Sequence, residues 1–391
     1  MNRSLRILMV LHVPWNRNLG GSRVQLELAD EFCKMGHQVE KFDVNDAFPN
    51  AQSSRISELI RPSFSTKAKE FIRANGKSFD VIDAHQGNLP FSKAELNFQG
   101  LLVARSVGLY AFCENYFKLE AVKWPQKKKG NPITKLLRSW RKQREFPYYL
   151  SSLKTCDLIN LPNGDELNYV RDILGLGYKS VFFPFGLSEQ RQKAFFQVTQ
   201  PGGIRLLNKQ VAFIGYWTPR KGSKDWPEII TRTKAQVPDV RFLFLGTGLS
   251  PKEVLQDLNM PAYDWIEIIP SYESDMLPQL LSEATIGAFP SYMEGFGFAV
   301  LEKLACGLPT IAYDVPGPRD MLRPLDPSLM IPVGDLGKFT AKLIELLQLD
   351  EKKYNQLSQN CHKVSSIFSW PKIAKDHLQL YSQYLQSIQK N

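Results

Sequence analysis

The stretch Ile286-Gly-Ala-Phe-Pro-Ser-Tyr-Met-Glu-Gly-Phe-Gly-Phe-Ala-Val-Leu-Glu-Lys-Leu-Ala-Cys306 predicts a short apolar strand, a glycine-containing loop and a helix. The strand is expected over Ile286–Phe289, and the helix runs to about Cys306. Gly295 and Gly297 allow the backbone to come close to a ligand. The first N–H groups of the helix can bind an anion or hydroxyl groups. A strand, a loop and a helix in this order are the building unit of an α/β fold.

The same unit opens each half of the chain. The strands and helices concerned are Leu5–Val13, Val24–Met35 and Gln38–Asp43 in the first half, and Gln210–Gly215, Trp226–Gln236 and Val240–Leu245 in the second. Short apolar runs are typical of parallel strands that helices cover on both faces. We therefore predict an α/β protein with two Rossmann-like, doubly wound parallel sheets. Ligands of such sheets bind outside the carboxyl ends of the strands, so the site is expected in a cleft between the halves.

Domain boundaries are predicted from a polar stretch that contains Pro201-Gly202-Gly203. The first domain is expected over 1–190, a linker over 191–208 and the second domain over 209–369. Residues 370–391 are expected to form a closing helix. A chain of 391 residues has the length of two ordinary domains.

Composition excludes several classes of protein. No apolar run reaches the roughly 18 residues that a membrane span needs. The five cysteines are scattered and odd in number, which argues against a disulfide framework and fits a reducing cytoplasm. Five histidines without paired spacing predict no metal site. Neither Gly20-Gly21 nor Gly246-Thr-Gly248 completes the glycine fingerprint of dinucleotide-binding proteins.

Positive charge is concentrated in one segment. The formal net charge is +10, and residues 118–144 contain ten basic residues and one acidic residue. Ile133, Leu136, Leu137 and Trp140 recur at helical spacing among the basic residues. One interpretation is an interfacial helix on an anionic membrane surface, at the inner face of the cell membrane. The other is a solvated surface helix that packs by its apolar stripe.

Glu294 and Glu302, eight positions apart with Gly-Phe-Gly between them, resemble the donor-site motif of retaining GT-B glycosyltransferases of family 4. Further segments resemble that family's motifs in the same order along nearly the whole chain. They are Gly20-Gly21, Met35-Gly36-His37-Gln-Val39, Phe185-Gly186, Phe213-Ile-Gly215-Tyr-Trp-Thr-Pro-Arg220-Lys221-Gly222, Leu243-Phe-Leu-Gly246-Thr-Gly248, Ala305-Cys-Gly307-Leu-Pro309-Thr310 and Trp370. The resemblance implies the GT-B fold, with the closing helix 370–391 packed on the first domain. It also implies transfer of a sugar from a nucleotide-diphosphate sugar to a hydroxyl of a glycan or lipid-linked acceptor.

The resemblance also implies roles for individual residues. Arg220 and Lys221 would stabilise the charge of the leaving diphosphate, Glu294 would contact the donor sugar, and Glu302 would take the ribose hydroxyls. The remaining donor-binding residues would be Gly20, Gly21, Gly215, Gly248, Gly295, Phe296, Gly297 and Phe298. Family 4 enzymes retain the anomeric configuration, commonly by a front-face mechanism, and need neither a metal ion nor a cofactor.

Two positions depart from the family pattern. Val107 stands where family members often have a histidine near the sugar, and Tyr216 replaces an arginine in the loop before Lys221. Either His85 or Arg105 supplies the sugar contact on the acceptor side, or that contact is missing. The departures leave open a non-catalytic protein that binds nucleotide sugars or glycans. A nucleic-acid-binding protein is suggested by charge alone, without a recognition motif, and no nucleic-acid partner is predicted.

Overall fold

The computed structural model describes residues 3–49, 63–125 and 147–390. The chain forms two compact units, each made of separate segments. Unit 1 comprises 1–110, 125–184 and 370–391, and unit 2 comprises 111–124 and 185–369. Each unit contains a six-stranded sheet in which every pair of neighbouring strands is parallel.

The strands of unit 1 lie in the order β2-β1-β3-β4-β5-β6, and those of unit 2 in the order β12-β11-β10-β7-β8-β9. Their bounds in unit 1 are β1 Arg6–Val10, β2 Gln38–Phe42, β3 Val81–His85, β4 Leu101–Arg105, β5 Leu158–Leu161 and β6 Ser180–Phe182. In unit 2 they are β7 Gln210–Ile214, β8 Arg241–Leu245, β9 Ile266–Ile269, β10 Ile286–Phe289, β11 Thr310–Tyr313 and β12 Met330–Ile331.

The helices connect the parallel strands. They are α1 Gly20–Lys34, α2 Val44–Ala47, α3 Phe64–Asn75, α4 Lys93–Leu96, α5 Tyr110–Lys123, α6 Gly164–Asn168, α7 Glu189–Gln197, α8 Gly202–Asn208, α9 Trp226–Gln236, α10 Pro251–Leu258, α11 Leu277–Leu280, α12 Phe298–Ala305, α13 Pro318–Leu322, α14 Leu336–Leu347, α15 Glu351–Ile367 and α16 Trp370–Lys390. Residues 147–155 are helical as well.

The central strands are buried along their whole length. Every residue of β3, β4, β7, β10 and β11 is inaccessible or nearly so. This burial on both faces explains why these strands are continuous apolar runs rather than alternating patterns. The predicted α/β class with two doubly wound parallel sheets is confirmed.

Each sheet has one point where the strand order reverses. In unit 2 the chain builds β7, β8 and β9 outward and then returns to place β10 on the other side of β7. In unit 1 the same reversal lies between β1 and β3. Loops that leave neighbouring strands in opposite directions open a crevice at such a point, which is where ligands of doubly wound sheets bind.

The segments differ in part from the predicted domains. Residues 191–208, predicted as a linker, carry most of α7 and the whole of α8 and belong to unit 2. The short segment 111–124 also belongs to unit 2, since Lys123 and Trp124 contact Tyr292 there. The predicted amphipathic helix around Trp140 lies outside the described residues. Within the described part of the chain, none of the helices is both long and apolar enough to cross a bilayer.

Candidate functional site

Two loops of unit 2 are joined at the reversal point between β7 and β10. The carbonyl of Arg220 accepts hydrogen bonds from the backbone N–H of Tyr292 at 2.8 Å and from Oγ of Ser291 at 3.1 Å. Gly222 has a φ of +83°, and a Cβ there would lie 2.3 Å from the carbonyl oxygen of Pro290. Only glycine fits this close approach, so the sequence Arg220-Lys221-Gly222 is fixed against the loop that carries Glu294.

Lys221 and Glu294 form a buried ion pair. Nζ of Lys221 lies 2.5 Å from Oε1 of Glu294, and Oγ of Ser291 donates to the same oxygen at 2.5 Å. Burial opposes ionisation of Glu294, but the charges of Lys221 and Arg220 outweigh it and hold the pKa of the carboxyl below its usual value. Burial also lowers the pKa of Lys221, against the attraction of Glu294. The loop therefore presents an ionised carboxylate beside two basic side chains.

A second buried lysine, Lys303, lies close to this pair. Lys303 is fully buried on α12, and its Nζ donates to the carbonyl of Ala288 at 3.1 Å. Both ammonium groups lie close to the ring of Phe289, with Nζ of Lys221 5.0 Å and Nζ of Lys303 4.9 Å from its centroid. Burial, and next the charge of Lys221, lowers the pKa of Lys303 to about 7.

The N-terminus of α12 follows directly. Gly297 precedes the helix with a φ of +88°, and a Cβ at this position would lie 3.0 Å from Cγ of Pro318. The ring of Phe296 is buried against Phe185 and Phe368, with centroids 5.1 and 5.7 Å away. These contacts fix the path of the backbone from Gly295 to Phe298, whose amides are the predicted donor-binding groups.

Glu302 lies one turn into α12 and is only 4% exposed. Its Oε1 accepts a hydrogen bond at 2.8 Å from Nη2 of Arg191, on α7. Gly215 directly follows β7, which borders the reversal point, and Gly248 lies three residues after the neighbouring strand β8. The ring of Tyr216, which is 58% exposed, lies against Gly248.

The other predicted residues belong to unit 1. A Cβ on Gly21, at the start of α1, would lie 3.9 Å from Cε1 of His85 and 3.8 Å from Cγ2 of Val107. These three residues, with Gly20, therefore gather at the reversal point of the first sheet. Burial, with a further contribution from the facing His12, lowers the pKa of His85 to about 3, so its ring is neutral.

Arg105 forms a buried ion pair with Asp83 inside unit 1. It is fully buried, and its Nε and Nη2 donate to the carboxylate of Asp83 at 3.0 and 2.5 Å. The hydroxyl of Tyr381 on α16 donates to the same carboxylate at 2.8 Å. The guanidinium is thus engaged inside unit 1, and the sugar contact expected of Arg105 stays a prediction.

Four contributors to the site were not predicted from the sequence: Ser291, Lys303, Arg191 and Tyr292. Ser291 and Lys303 lie inside the quoted motif, but no spacing rule marks them. Arg191 lies in the segment that the sequence assigned to a linker, and its partner Glu302 is 111 positions away. Only the folded chain brings the two together.

Metal ligands are not grouped in residues 3–49, 63–125 or 147–390: no three His, Cys, Asp or Glu side chains converge there. Arg220, Lys221 and the amides at the start of α12 are together suited to hold a diphosphate.

A known protein family resembles the second half of the chain. Residues 208–349 match the family model described as glycosyl transferases group 1. The chain is 29% identical over 187 residues to D-inositol 3-phosphate glycosyltransferase of Mycobacteroides abscessus, and 26% identical over 232 residues to that of Mycolicibacterium smegmatis. The matched regions cover 46% and 58% of this chain. The chain spans 41% and 50% of the length of these two relatives.

Solved structures resemble the whole chain. Sucrose-phosphate synthase of Thermosynechococcus elongatus superposes with a TM-score of 0.73 at 18% identity, over 98% of this chain and 100% of the other. HepE of Anabaena in complex with UDP-glucose gives 0.66 at 14% identity, with the same coverage. The catalytic domain of starch synthase IV of Arabidopsis thaliana, bound to ADP and acarbose, gives 0.66 at 13% identity over 98% and 100%.

The matched segment holds the joined loops, the Lys221–Glu294 pair and α12. The structural matches extend the likeness in fold to both units. The family resemblance predicted from the motifs is therefore confirmed over residues 208–349, which match the model of the glycosyl transferases group 1, on a chain with the GT-B fold.

Proposed function

We propose that the protein transfers a sugar, with retention of anomeric configuration, from a nucleotide-diphosphate sugar to a hydroxyl acceptor. The observation that carries the proposal is the Lys221–Glu294 pair beside the N-terminus of α12. It supplies a cation for the diphosphate and a carboxylate for the sugar in one place. The names of the relatives and the UDP-glucose and ADP complexes of the structural neighbours support this donor class.

In this proposal the positive groups act on the leaving group. Arg220 and Lys221 neutralise charge that grows on the diphosphate as the bond from the anomeric carbon to the phosphate oxygen breaks. The acceptor oxygen attacks the anomeric carbon from the same face, and its proton passes to the departing phosphate oxygen. Glu294 holds sugar hydroxyls, and Glu302 holds those of the ribose. No step requires a metal ion or a cofactor, and assays with and without a chelator test that prediction.

The acceptor is assigned to unit 1, by analogy with the family. Gly20, Gly21 and His85 gather at the reversal point of its sheet and are candidates for contacts with the donor phosphate or the sugars. The basic segment 118–144 favours an acceptor that is anionic or lipid-linked, or an anionic membrane surface. Exposed Phe117, Leu119 and Val122 on α5 add an apolar component at its start.

A donor screen tests the proposal. The protein is incubated with UDP-, ADP- and GDP-sugars, and binding is followed by thermal shift, since a ligand at 100 times its Kd adds about 2.7 kcal/mol of stability. We expect a shift with one nucleotide class, and slow hydrolysis or transfer of its sugar. The exposed ring of Tyr216 against Gly248, and Val107 near Gly21, favour one competing function, a protein that binds nucleotide sugars without catalysis. Binding without any turnover, across an acceptor panel, would select that function.

A further inference from the structure

Arg191 connects two parts of unit 2 that leave the same edge of its sheet. The residue lies on α7, and its side chain is 10% exposed. Nη2 donates to Oε1 of Glu302 at 2.8 Å, and Nη1 donates to the backbone carbonyl of Ser274 at 3.0 Å. The guanidinium also lies over the ring of Phe195, 5.2 Å from its centroid.

The segment that carries Ser274 belongs to the candidate site. It follows β9, and the carbonyl of Pro270 at its start accepts a hydrogen bond from the N–H of Gly248 at 2.9 Å. Gly248 in turn follows β8, the neighbour of β7. Arg191 therefore links the loop after β9 to α12.

The chemistry of the contact suits orientation rather than simple neutralisation. A guanidinium has a planar fork of donors, so two bonds in different directions fix both partners. A carboxylate has about four acceptor positions, so one glutamate can accept hydrogen bonds from an arginine and from hydroxyl groups at the same time. Among the described residues, Nε of Arg191 is buried and has no hydrogen-bond partner, which leaves one further donor at this position.

We infer that Arg191 is a positioning residue for the nucleoside half of the donor: it holds the carboxylate of Glu302 and the Ser274 loop in the arrangement that the ribose and base require. The inference rests on the proposed function, because it takes Glu302 as the ribose-binding group. A purely structural role, in which Arg191 only holds α7 against its neighbours, would use the same hydrogen bonds to Glu302 and Ser274. The two roles differ in which part of a ligand is affected when the bonds are lost.

The test measures the affinity of two probes by calorimetry. One probe is the nucleoside diphosphate, among UDP, ADP and GDP, that the wild-type protein binds most tightly, and the other is inorganic pyrophosphate, which lacks the nucleoside. We expect Arg191→Gln to weaken nucleoside diphosphate binding about tenfold or more and to change pyrophosphate binding less than twofold. Arg191→Lys keeps the charge but not the fork and should recover part of the loss. Lys193→Gln, at an exposed position on the same helix, is the matched control and should bind both probes like the wild type.

Three results would overturn the inference. Unchanged nucleoside diphosphate binding in Arg191→Gln would show that the contact does not position the site. Equal losses of affinity for both probes would show that Arg191 has only a structural role. A wild-type protein that binds none of the three nucleotides would remove the proposed function and the inference with it. If Arg191→Gln does not fold, Arg191→Lys is compared with and without Glu302→Gln. Independent, additive losses in that comparison would contradict positioning through Glu302.

Discussion

The buried contact between Lys221 and Glu294 defines the site at the scale of single residues. Both side chains are held in place before a ligand binds, by Ser291 and by the carbonyl of Arg220. In the proposed function, the diphosphate would meet at Lys221 a cation already buried among its neighbours. Such a preorganised cation interacts with developing charge more strongly than a solvated one does.

Arg220→Ala and Lys221→Ala are each predicted to lower kcat by about 10²–10³, with a smaller change in KM. The reason is that charge on the leaving phosphate grows toward the transition state. Steady-state kinetics with the identified donor measure the effect. Lys224→Ala is the control, because Lys224 lies three residues on and pairs with Asp257 instead. Activity within twofold of the wild type in both variants would exclude the diphosphate role.

Glu302→Ala is predicted to raise KM for the donor more than it changes kcat. A carboxylate that takes ribose hydroxyls contributes equally to the ground state and the transition state, so its loss appears in KM. The measurement is the dependence of rate on donor concentration. An unchanged KM would assign Glu302 to the structural contact with Arg191 alone.

Lys303→Met is predicted to stabilise the protein most at and below neutral pH and less as the pH rises above it. The pKa of Lys303 is about 7 in the folded protein, below its ordinary value of 10.5. Between these values the unfolded chain binds the extra proton, so the wild type gains stability with rising pH, by about 1.4 kcal/mol per pH unit at most. Chemical denaturation of both proteins at pH 7, 8 and 9 measures the difference. A difference independent of pH would contradict the lowered pKa.

At the scale of helices and strands, the sequence predicted an element correctly where an apolar run or a glycine-containing loop marked it. The strand Ile286–Phe289 is confirmed to the residue, and the following helix ends one residue before the predicted Cys306. Buried apolar runs and glycine-containing loops decide such elements locally. The helix α7 was missed because it is rich in polar residues, and α8 was missed because Pro201-Gly202-Gly203 at its start suggested a turn. A proline before a helix is compatible with its first turn, so the same residues can start one.

The candidate site divides in the same way. Arg220, Lys221 and Glu294 were predicted as site residues because the motifs that contain them resemble those of a known family, and their roles stay predictions. The contacts of Arg191 and Lys303 could not, since they depend on side chains that meet only after the sheet forms. Arg191 reaches Glu302 from another helix, and Nζ of Lys303 lies 4.9 Å from the centroid of Phe289.

The segment 118–144 gives a prediction at the scale of one element. Each basic residue near an anionic membrane contributes about 1 kcal/mol, and salt screens it within a Debye length. Replacing Lys127, Lys128 and Lys129, which lie outside the described residues, by Gln should weaken binding to anionic vesicles by about 3 kcal/mol at most. Donor hydrolysis should not change. Co-sedimentation at low and high salt is the measurement, with neutral vesicles as the control.

Two outcomes would separate the alternatives for this segment. Equal sedimentation with neutral and anionic vesicles would exclude the electrostatic interpretation. No sedimentation with either would favour a soluble acidic glycan as the acceptor. The exposed apolar residues Phe117 and Val122 are described by the structure, and their replacement by Ser should weaken binding to both vesicle types if α5 inserts into the interface.

At the scale of the whole molecule, helix α16 follows unit 2 in the sequence but packs within unit 1. Trp370 at the start of α16 is fully buried in unit 1, and its indole N–H donates to Glu27 of α1 at 2.5 Å. His377 contacts Asn160 of β5 at 2.6 Å. The first sheet therefore depends on residues that the sequence supplies only after the whole of unit 2.

Tyr381→Phe is predicted to destabilise unit 1 selectively. The variant removes the hydroxyl that donates to the buried carboxylate of Asp83 at 2.8 Å, and a buried acceptor that loses a donor costs about 1–3 kcal/mol. Tyr384→Phe, the same change one turn further along α16, is the matched control. Burial opposes ionisation of Asp83, but Arg105 holds its pKa below the usual value, so the carboxylate contributes stability at neutral pH that is lost in acid.

Hydrogen exchange followed separately in the two sheets measures this effect, because it reports local opening without assuming that both units unfold together. In Tyr381→Phe, amides of β3 and β4 should exchange about 5–160-fold faster, the factor that corresponds to that range of free energy. Amides of β7 and β10 should exchange as in the wild type. Equal acceleration in both sheets would mean that the two units open as one, and no acceleration would mean that Arg105 alone satisfies Asp83.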